Sequence, residues 1–326
     1  MIAALCEKFG PPEDLIFREL PDPSAGPGEI VVAPSRVALN FFDTLIIENK
    51  YQLKPALPFS PGGEFCGRIV AVGEGVENFK PGQRVAGYCS YGAARSRLAL
   101  PAANLSVIPD ALSDDQAAGL FVTYGTTLHA LRQRADLQRG ETLAILGASG
   151  GVGLAAVEIG AAMGAKVIAC ASSPEKLLFA QEFGAQQGLD YSTEDLKEGL
   201  KKRTDGMGVD CVYDAIGGAY SEAALRSMAW KGRFLVVGFA SGAIPNIPLN
   251  LTLLKGCAIL GVYWGEFVKR EPEAHRANMA QIFDWTARKI LSAHVHAVYP
   301  LAEIAEALNV LKARRAQGKV LLSIPQ

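Results

Sequence analysis

The stretch Leu146-Gly147-Ala148-Ser149-Gly150-Gly151-Val152-Gly153 constrains the fold more than any other part of the chain. It follows Thr142 to Leu146, which reads as a short buried strand. It opens Gly151 to Met163, which reads as a helix, and Lys166 to Cys170 then reads as a second strand. The turn fits G-x-G-x-x-G with Ala148 in the first glycine place, then Gly150 and Gly153. Glycines there let the chain turn tightly and let backbone N–H groups approach a pyrophosphate, while the helix N-terminus adds partial positive charge. The pattern predicts dinucleotide binding. Gly147-Ala148-Ser149-Gly150-Gly151 also fits G-x-S-x-G, the nucleophile elbow of hydrolases, for which His275, His294 or His296 would have to supply the base. Gly153 and the second strand suit the dinucleotide better.

The end of the second strand reads which dinucleotide. An acid there holds the ribose 2′-hydroxyl of NAD. Here the run is Val167-Ile168-Ala169-Cys170-Ala171-Ser172-Ser173-Pro174-Glu175-Lys176, with no acid where the strand ends. An acid near a 2′-phosphate would be repelled by roughly 4 kcal/mol at 4 Å and an effective dielectric of 20. Ser172 can donate a hydrogen bond to such a phosphate and Lys176 can supply charge, so NADPH is expected over NADH.

Around this unit the chain changes style. Before residue 123 it shows short apolar runs separated by Gly and Pro turns, such as Gly28 to Val32, Phe65 to Val72 and Arg84 to Gly87. That pattern suggests a mostly-β barrel or sandwich. From Thr142, strands at Val209 to Tyr213, Phe234 to Val237 and Ala258 to Val262 alternate with helices, which predicts a parallel sheet covered on both faces. The tail adds a helix, Leu301 to Ala313, and a strand, Lys319 to Ile324. It is too short to stand alone and is expected to rejoin the first part. The fold class expected is α/β: a doubly wound parallel sheet at 123–263 inserted in a mostly-β domain formed by 1–122 plus 264–326. At 326 residues the chain is long enough for two such domains.

Charge excludes several functions. Lys plus Arg number 32 and Asp plus Glu 33, so no strongly basic nucleic-acid binder is expected. The basic clusters Lys201-Lys202-Arg203 and Lys312-Ala313-Arg314-Arg315 read as solvated helix faces. The six cysteines are scattered without C-x-x-C, which favours a reducing compartment, and the first residues lack a signal-peptide pattern, so a cytoplasmic protein is expected. The uncharged stretch Phe234 to Leu254 is broken by Pro245, Asn246, Pro248 and Asn250, so no membrane span is expected.

Metal-assisted alcohol chemistry needs Cys, His or Glu ligands, and no suitable set appears; His294 and His296 lack a third partner. Tyr-x-x-x-Lys is missing too. By elimination the expected acceptor is a quinone or a conjugated alkene.

The chain resembles the zinc-free branch of the medium-chain dehydrogenases/reductases, the NADPH:quinone oxidoreductase or ζ-crystallin-like family, and most of all its quinone oxidoreductase-like subgroup. The stretches that carry the likeness are Asn40-Phe41-Phe42-Asp43-Thr44-Leu45, Lys50-Tyr51-Gln52, Pro58-Phe59-Ser60-Pro61-Gly62 and Gly147 to Gly153. Val237 to Gly242 and Gly261-Val262-Tyr263-Trp264-Gly265 extend it. The zinc branch's Gly-His-Glu frame reads Gly62-Gly63-Glu64 here, its ligand cysteine position carries Asn40, and the four-cysteine structural lobe is missing. The resemblance therefore implies no metal, and a GroES-like catalytic domain around a Rossmann domain.

The resemblance further implies that Ser149, Gly150, Gly151 and Val152, with Gly153, hold the pyrophosphate, and that Ser172, Lys176 and Tyr191 surround the 2′-phosphate. It implies that Phe239, Ala240 and Ser241, with Val262, Tyr263 and Trp264, flank the nicotinamide, which Thr126 approaches. Asn40, Asp43 and Tyr51 would line a substrate cleft between the domains. Leu45 stands where such relatives often have tyrosine. Plainer roles fit some of these residues: Asn40 in a turn, Asp43 as the cap of a helix from Thr44, Thr126 at a helix start, Tyr51 and Trp264 in the core. The expected reaction is zinc-independent hydride transfer from NADPH to a quinone, with Asn40 and Tyr51 donating to the acceptor oxygen. A double-bond reductase acting on an enone or enoyl-CoA, and a non-catalytic nucleotide- or RNA-binding role, are the alternatives. Ala258 to Tyr263 would be an edge strand open to pairing, and the family implies a homodimer there.

Overall fold

The computed structural model describes residues 1–325, which fall into two compact units: Met1–Val122 with the segment from Ala293 onward, and Thr123–Ser292. The first unit is built on one mixed sheet of seven strands. Their order is Val295–Pro300, Lys319–Ser323, Glu29–Leu39, Glu64–Val72, Arg84–Tyr88 and Leu105–Val107, with Leu98–Pro101 also paired to Glu29–Leu39. The apolar runs Ile30–Ala33 and Val37–Leu39 of the long strand Glu29–Leu39 are buried throughout, and Ile30, Val32, Val37 and Leu39 belong to the core. Fully burying each such side chain is worth about 1.5–3 kcal/mol. Two registers position the site. Val320 lies across from Leu39, and Glu64 across from Ala38. Asn40, Glu64 and Lys319 therefore sit at the same end of three adjacent strands.

The second unit is a six-stranded parallel sheet. Its order is Gln187–Asp190, Lys166–Ala171, Thr142–Leu146, Val209–Asp214, Met228–Val236 and Ala258–Gly261. The chain winds outward from Thr142–Leu146 through two strands, then returns to its other side with Val209–Asp214. That reversal is the topological switch point at which open α/β sheets bind ligands, outside the carboxyl ends of the strands. Thr142–Leu146 forms as the sequence predicts, and Gly151–Ala162 is the helix that follows the glycine turn. Ser173 caps Pro174–Glu182 by accepting the N–H of Lys176 at 3.4 Å.

The expected return to the first domain at residue 264 lies instead at 293. Two helices, Trp264–Arg270 and Pro272–Ala287, intervene and pack within the second unit. Asn278 is buried there, accepting from Arg132 at 3.1 Å and from Gln133 at 3.0 Å. Phe267 stacks on His129 with centroids 3.9 Å apart. Among the described residues no helix is long and apolar enough to cross a membrane.

Candidate active site

In the second unit the turn after Thr142–Leu146 has its left-handed residue at Gly147, φ +78°, one position before the place the motif alignment assigns to Ala148. Backbone N–H groups of Gly147 and Ala148 both donate to the Cys170 carbonyl, at 2.9 and 3.2 Å, tying the turn to the neighbouring strand. Gly150 is the N-cap, and Ser149 is buried beneath it. Gly153 faces the carbonyl of Gly147 so closely that any Cβ would overlap its oxygen. Strand and helix thus meet in the geometry that exposes the first N–H groups of the helix, at Gly151 and Val152, to an anion.

The next strand's end supplies the cationic corner. Lys176 Nζ donates to Ser172 Oγ at 3.1 Å, so these two side chains meet. Tyr191 follows the adjacent strand, its N–H bonded to the Ala171 carbonyl at 3.1 Å and its ring 4.4 Å from that of Tyr220. Ser172, Lys176 and Tyr191 therefore gather at the carboxyl ends of two neighbouring strands.

On the other side of the switch point, the loop 237–242 is fastened to 214–218. Ala240 N–H donates to the Ala215 carbonyl at 3.1 Å and Ser241 N–H to that of Ile216 at 2.8 Å. Phe239 lies against Gly217, whose φ of +72° leaves no room for a side chain. Asp214 organises this corner: one oxygen accepts from Ile216 and Gly217 N–H at 2.9 and 2.8 Å, and the other from Ser221 Oγ at 2.6 Å. Burial raises its carboxyl above the usual range. The sequence reading passes over Asp214, although its place before a Gly-Gly pair was the available signal. Val262 N–H donates to the Val236 carbonyl at 3.0 Å, and Tyr263 is largely exposed. Trp264 is buried and packs against Gly125 and His275. Thr126 is half-buried, and it is Thr127 whose hydroxyl lies 3.0 Å from that of Tyr213.

In the first unit a buried polar cluster forms at the ends of three strands. Lys319 Nζ donates to Asn40 Oδ1 and to Glu64 Oε1, each at 2.7 Å. Asn40 Nδ2 donates to Glu64 Oε1 at 3.0 Å, and Glu64 Oε2 accepts the N–H of Val122 at 2.8 Å. Asp43 accepts from Asn40 N–H at 2.7 Å and from Gly62 N–H at 3.0 Å. Asp43 is fully buried, and desolvation pushes its carboxyl up to about 7. The helix starts at Phe41, so Asn40 is its N-cap and Asp43 stands three residues in, not before a start at Thr44. Phe42 stacks on Tyr51 with centroids 5.6 Å apart, leaving Tyr51 half-buried.

Asn40 and Asp43 thus face inward. The carboxamide of Asn40, expected as a donor to substrate, is held by Lys319 and Glu64 because three strand ends converge on it. Glu64 and Lys319 are missed by the sequence reading; an acid in an apolar strand and a lysine opening one were the available hints. Within the clusters at 201–203 and 312–315, Arg203 binds Glu194 at 2.8 Å and Lys312 binds Glu48 at 2.5 Å.

Comparison with known proteins agrees with this architecture. Residues 26–124 match the alcohol dehydrogenase GroES-like domain and 151–283 match the zinc-binding dehydrogenase domain. A quinone oxidoreductase-like protein 2 homolog of Nematostella vectensis is 38% identical, covering 99% of this chain and 89% of its own. The structure of Escherichia coli quinone oxidoreductase complexed with NADPH is 30% identical with a TM-score of 0.93, covering 99% of this chain and all of its own. CurK enoyl reductase is 27% identical with a TM-score of 0.89, covering 99% of each chain.

The zinc in one domain's description does not fit the residues here. A side chain at position 63 would meet the Phe42 ring at 2.9 Å and the Ser90 carbonyl oxygen at 3.0 Å. Asn40 Oδ1 already accepts from the Lys319 ammonium, whose charge repels a dication. The chain belongs to the quinone oxidoreductase-like family of zinc-free medium-chain dehydrogenases/reductases, an oxidoreductase family.

Proposed function

We propose that the protein transfers hydride from NADPH to a quinone without metal. The carrying observation is a dinucleotide turn in one unit combined with a cluster in the other that excludes zinc. An alcohol needs its hydroxyl acidified, commonly by a metal, whereas a quinone carbonyl accepts hydride without one. The NADPH complex of the E. coli relative and the Lys176–Ser172 contact support NADPH as the cofactor. When bound, NADPH supplies two electrons as hydride. The first-turn N–H groups of Gly151 and Val152, with Ser149 and Gly153 shaping the turn, hold its pyrophosphate. Ser172, Lys176 and Tyr191 bind its 2′-phosphate. Phe239, Ala240, Ser241, Val262 and Tyr263 shape the nicotinamide side with Thr126. Tyr51 donates to the oxygen on which negative charge grows, and water supplies the final proton. Asn40 and Asp43 hold the helix that precedes Tyr51.

The second reading, reduction of an enone or enoyl-CoA double bond, is favoured by the likeness to CurK enoyl reductase. Oxidation of NADPH by the purified protein with chelator present separates the two. Faster turnover of phenanthrenequinone supports the first, and faster turnover of acryloyl-CoA replaces it with the second.

The reading includes a homodimer and a cytoplasmic setting. Ala258–Gly261 is the terminal strand of its sheet, and Leu249, Leu253 and Leu254 nearby in sequence are each more than 70% exposed. An edge strand beside exposed leucines suits pairing with a second copy.

A further inference from the structure

Lys319 is a buried cation whose presence stability does not explain. Its side chain is 4% exposed and that of its partner Glu64 is fully buried. Taking such a pair out of water costs several kcal/mol per ion, and apolar replacement of similar volume is often neutral or stabilising. What the pair does is fix a carboxamide. Asn40 Oδ1 faces the ammonium and Nδ2 faces the Glu64 carboxylate. A flipped amide would set N–H against ammonium and carbonyl against carboxylate, so one orientation alone is allowed.

The side chain so held fixes Asn40, and the helix is joined to it through the Asn40 backbone. Asn40 is the N-cap of Phe41–Ile46, and its backbone N–H is bound by Asp43. The second residue of this helix, Phe42, carries Tyr51 stacked on its ring and fills the space at Gly63. Lys319 thus anchors the start of a short helix whose second residue, Phe42, sets the place of Tyr51. A six-residue helix has little stability of its own and depends on such anchoring.

We propose that Lys319 is a positioning residue for hydride acceptance, acting through Asn40 and Phe42 on the Tyr51 hydroxyl. The inference rests on the proposed role of Tyr51 at the acceptor, and it holds for a quinone or a thioester alike, since negative charge reaches an oxygen in both. Misplacement of a reacting group by about 1 Å can cost on the order of 100-fold in rate.

The test compares wild type, Lys319→Arg, and the charge-balanced double variant Lys319→Met/Glu64→Gln, which avoids stranding one buried charge. Each is assayed with phenanthrenequinone and with acryloyl-CoA, alongside thermal melting and NADPH titration. The double variant is expected to fold and to bind NADPH within about twofold of wild type, while kcat falls tenfold or more, on the order of 1.4 kcal/mol. Lys319→Arg is expected to recover most of that loss. A folded double variant with wild-type kcat overturns the role of Lys319. Wild type that reduces only acryloyl-CoA overturns the quinone reading, and Lys319 is then judged on the thioester. Wild type that reduces neither overturns both.

Discussion

Gly153 and Gly147 touch backbone to backbone: the α-carbon of one faces the carbonyl oxygen of the other with no space for a methyl group. The obstacle is a main-chain oxygen that cannot rotate away, so Gly153→Ala must push helix Gly151–Ala162 off the sheet. Overpacking of this kind costs about 1–3 kcal/mol. A lowered melting temperature together with at least about tenfold weaker NADPH binding, by fluorescence titration, is the expected result.

Lys176 is expected to discriminate cofactors. Charge-assisted hydrogen bonds contribute about 1.5–3 kcal/mol. Lys176→Ala should weaken NADPH roughly 10- to 100-fold and leave NADH unaffected. Dissociation constants for both cofactors check this, and an equal loss for both would remove Lys176 from the phosphate corner.

Asp43 should leave a pH signature. Its native carboxyl titrates near 7 because burial disfavours the anion, whereas an unfolded aspartate titrates near about 3.9. Between those values the native state holds a proton that the unfolded chain releases. The contribution is fully present below about pH 4 and is lost as pH rises towards 7. Urea denaturation from pH 4 to 8 should show that decline in wild type, with a flatter profile in Asp43→Asn.

The exposed leucines give a hydrodynamic prediction. Replacing Leu253 and Leu254, 79% and 72% exposed, by Asp should leave melting of the chain nearly unchanged. The same change should convert a dimer to a monomer in sedimentation velocity. A wild type that sediments as a monomer would dismiss the pairing outright.

The sequence exposes what depends on neighbours in the chain. Thr142–Leu146 forms where expected, and the capping of Pro174–Glu182 by Ser173 likewise follows from local capping chemistry. Lys319 and Glu64 act through partners 279 and 255 positions away, so no local spacing announces them. The packing of Trp264 against Gly125 is hidden for the same reason, since Gly125 lies far back in the chain. The helix Pro272–Ala287, with Asn278, Met279, Ile282, Phe283 and Thr286 buried, lies beyond the domain boundary expected at 264 and carries the second unit on to Ser292. Asn40 shows a subtler limit. Its position beside a helix start was readable, but the direction of its amide is set by a strand that arrives last.

The discontinuity of the first unit has a kinetic consequence. Glu64 emerges from the ribosome 255 residues before the lysine that neutralises it. At about 5–20 residues per second that is an interval of roughly 10–50 s. During it the long strand Glu29–Leu39 lacks its partner Lys319–Ser323, while every strand of the second unit has already been made. The parallel sheet can therefore close first, and an incomplete chain would hold a buried carboxylate without its counter-charge. In the order of synthesis the polar cluster is therefore completed late, only when the strand beginning at residue 319 has taken its place beside Glu29–Leu39.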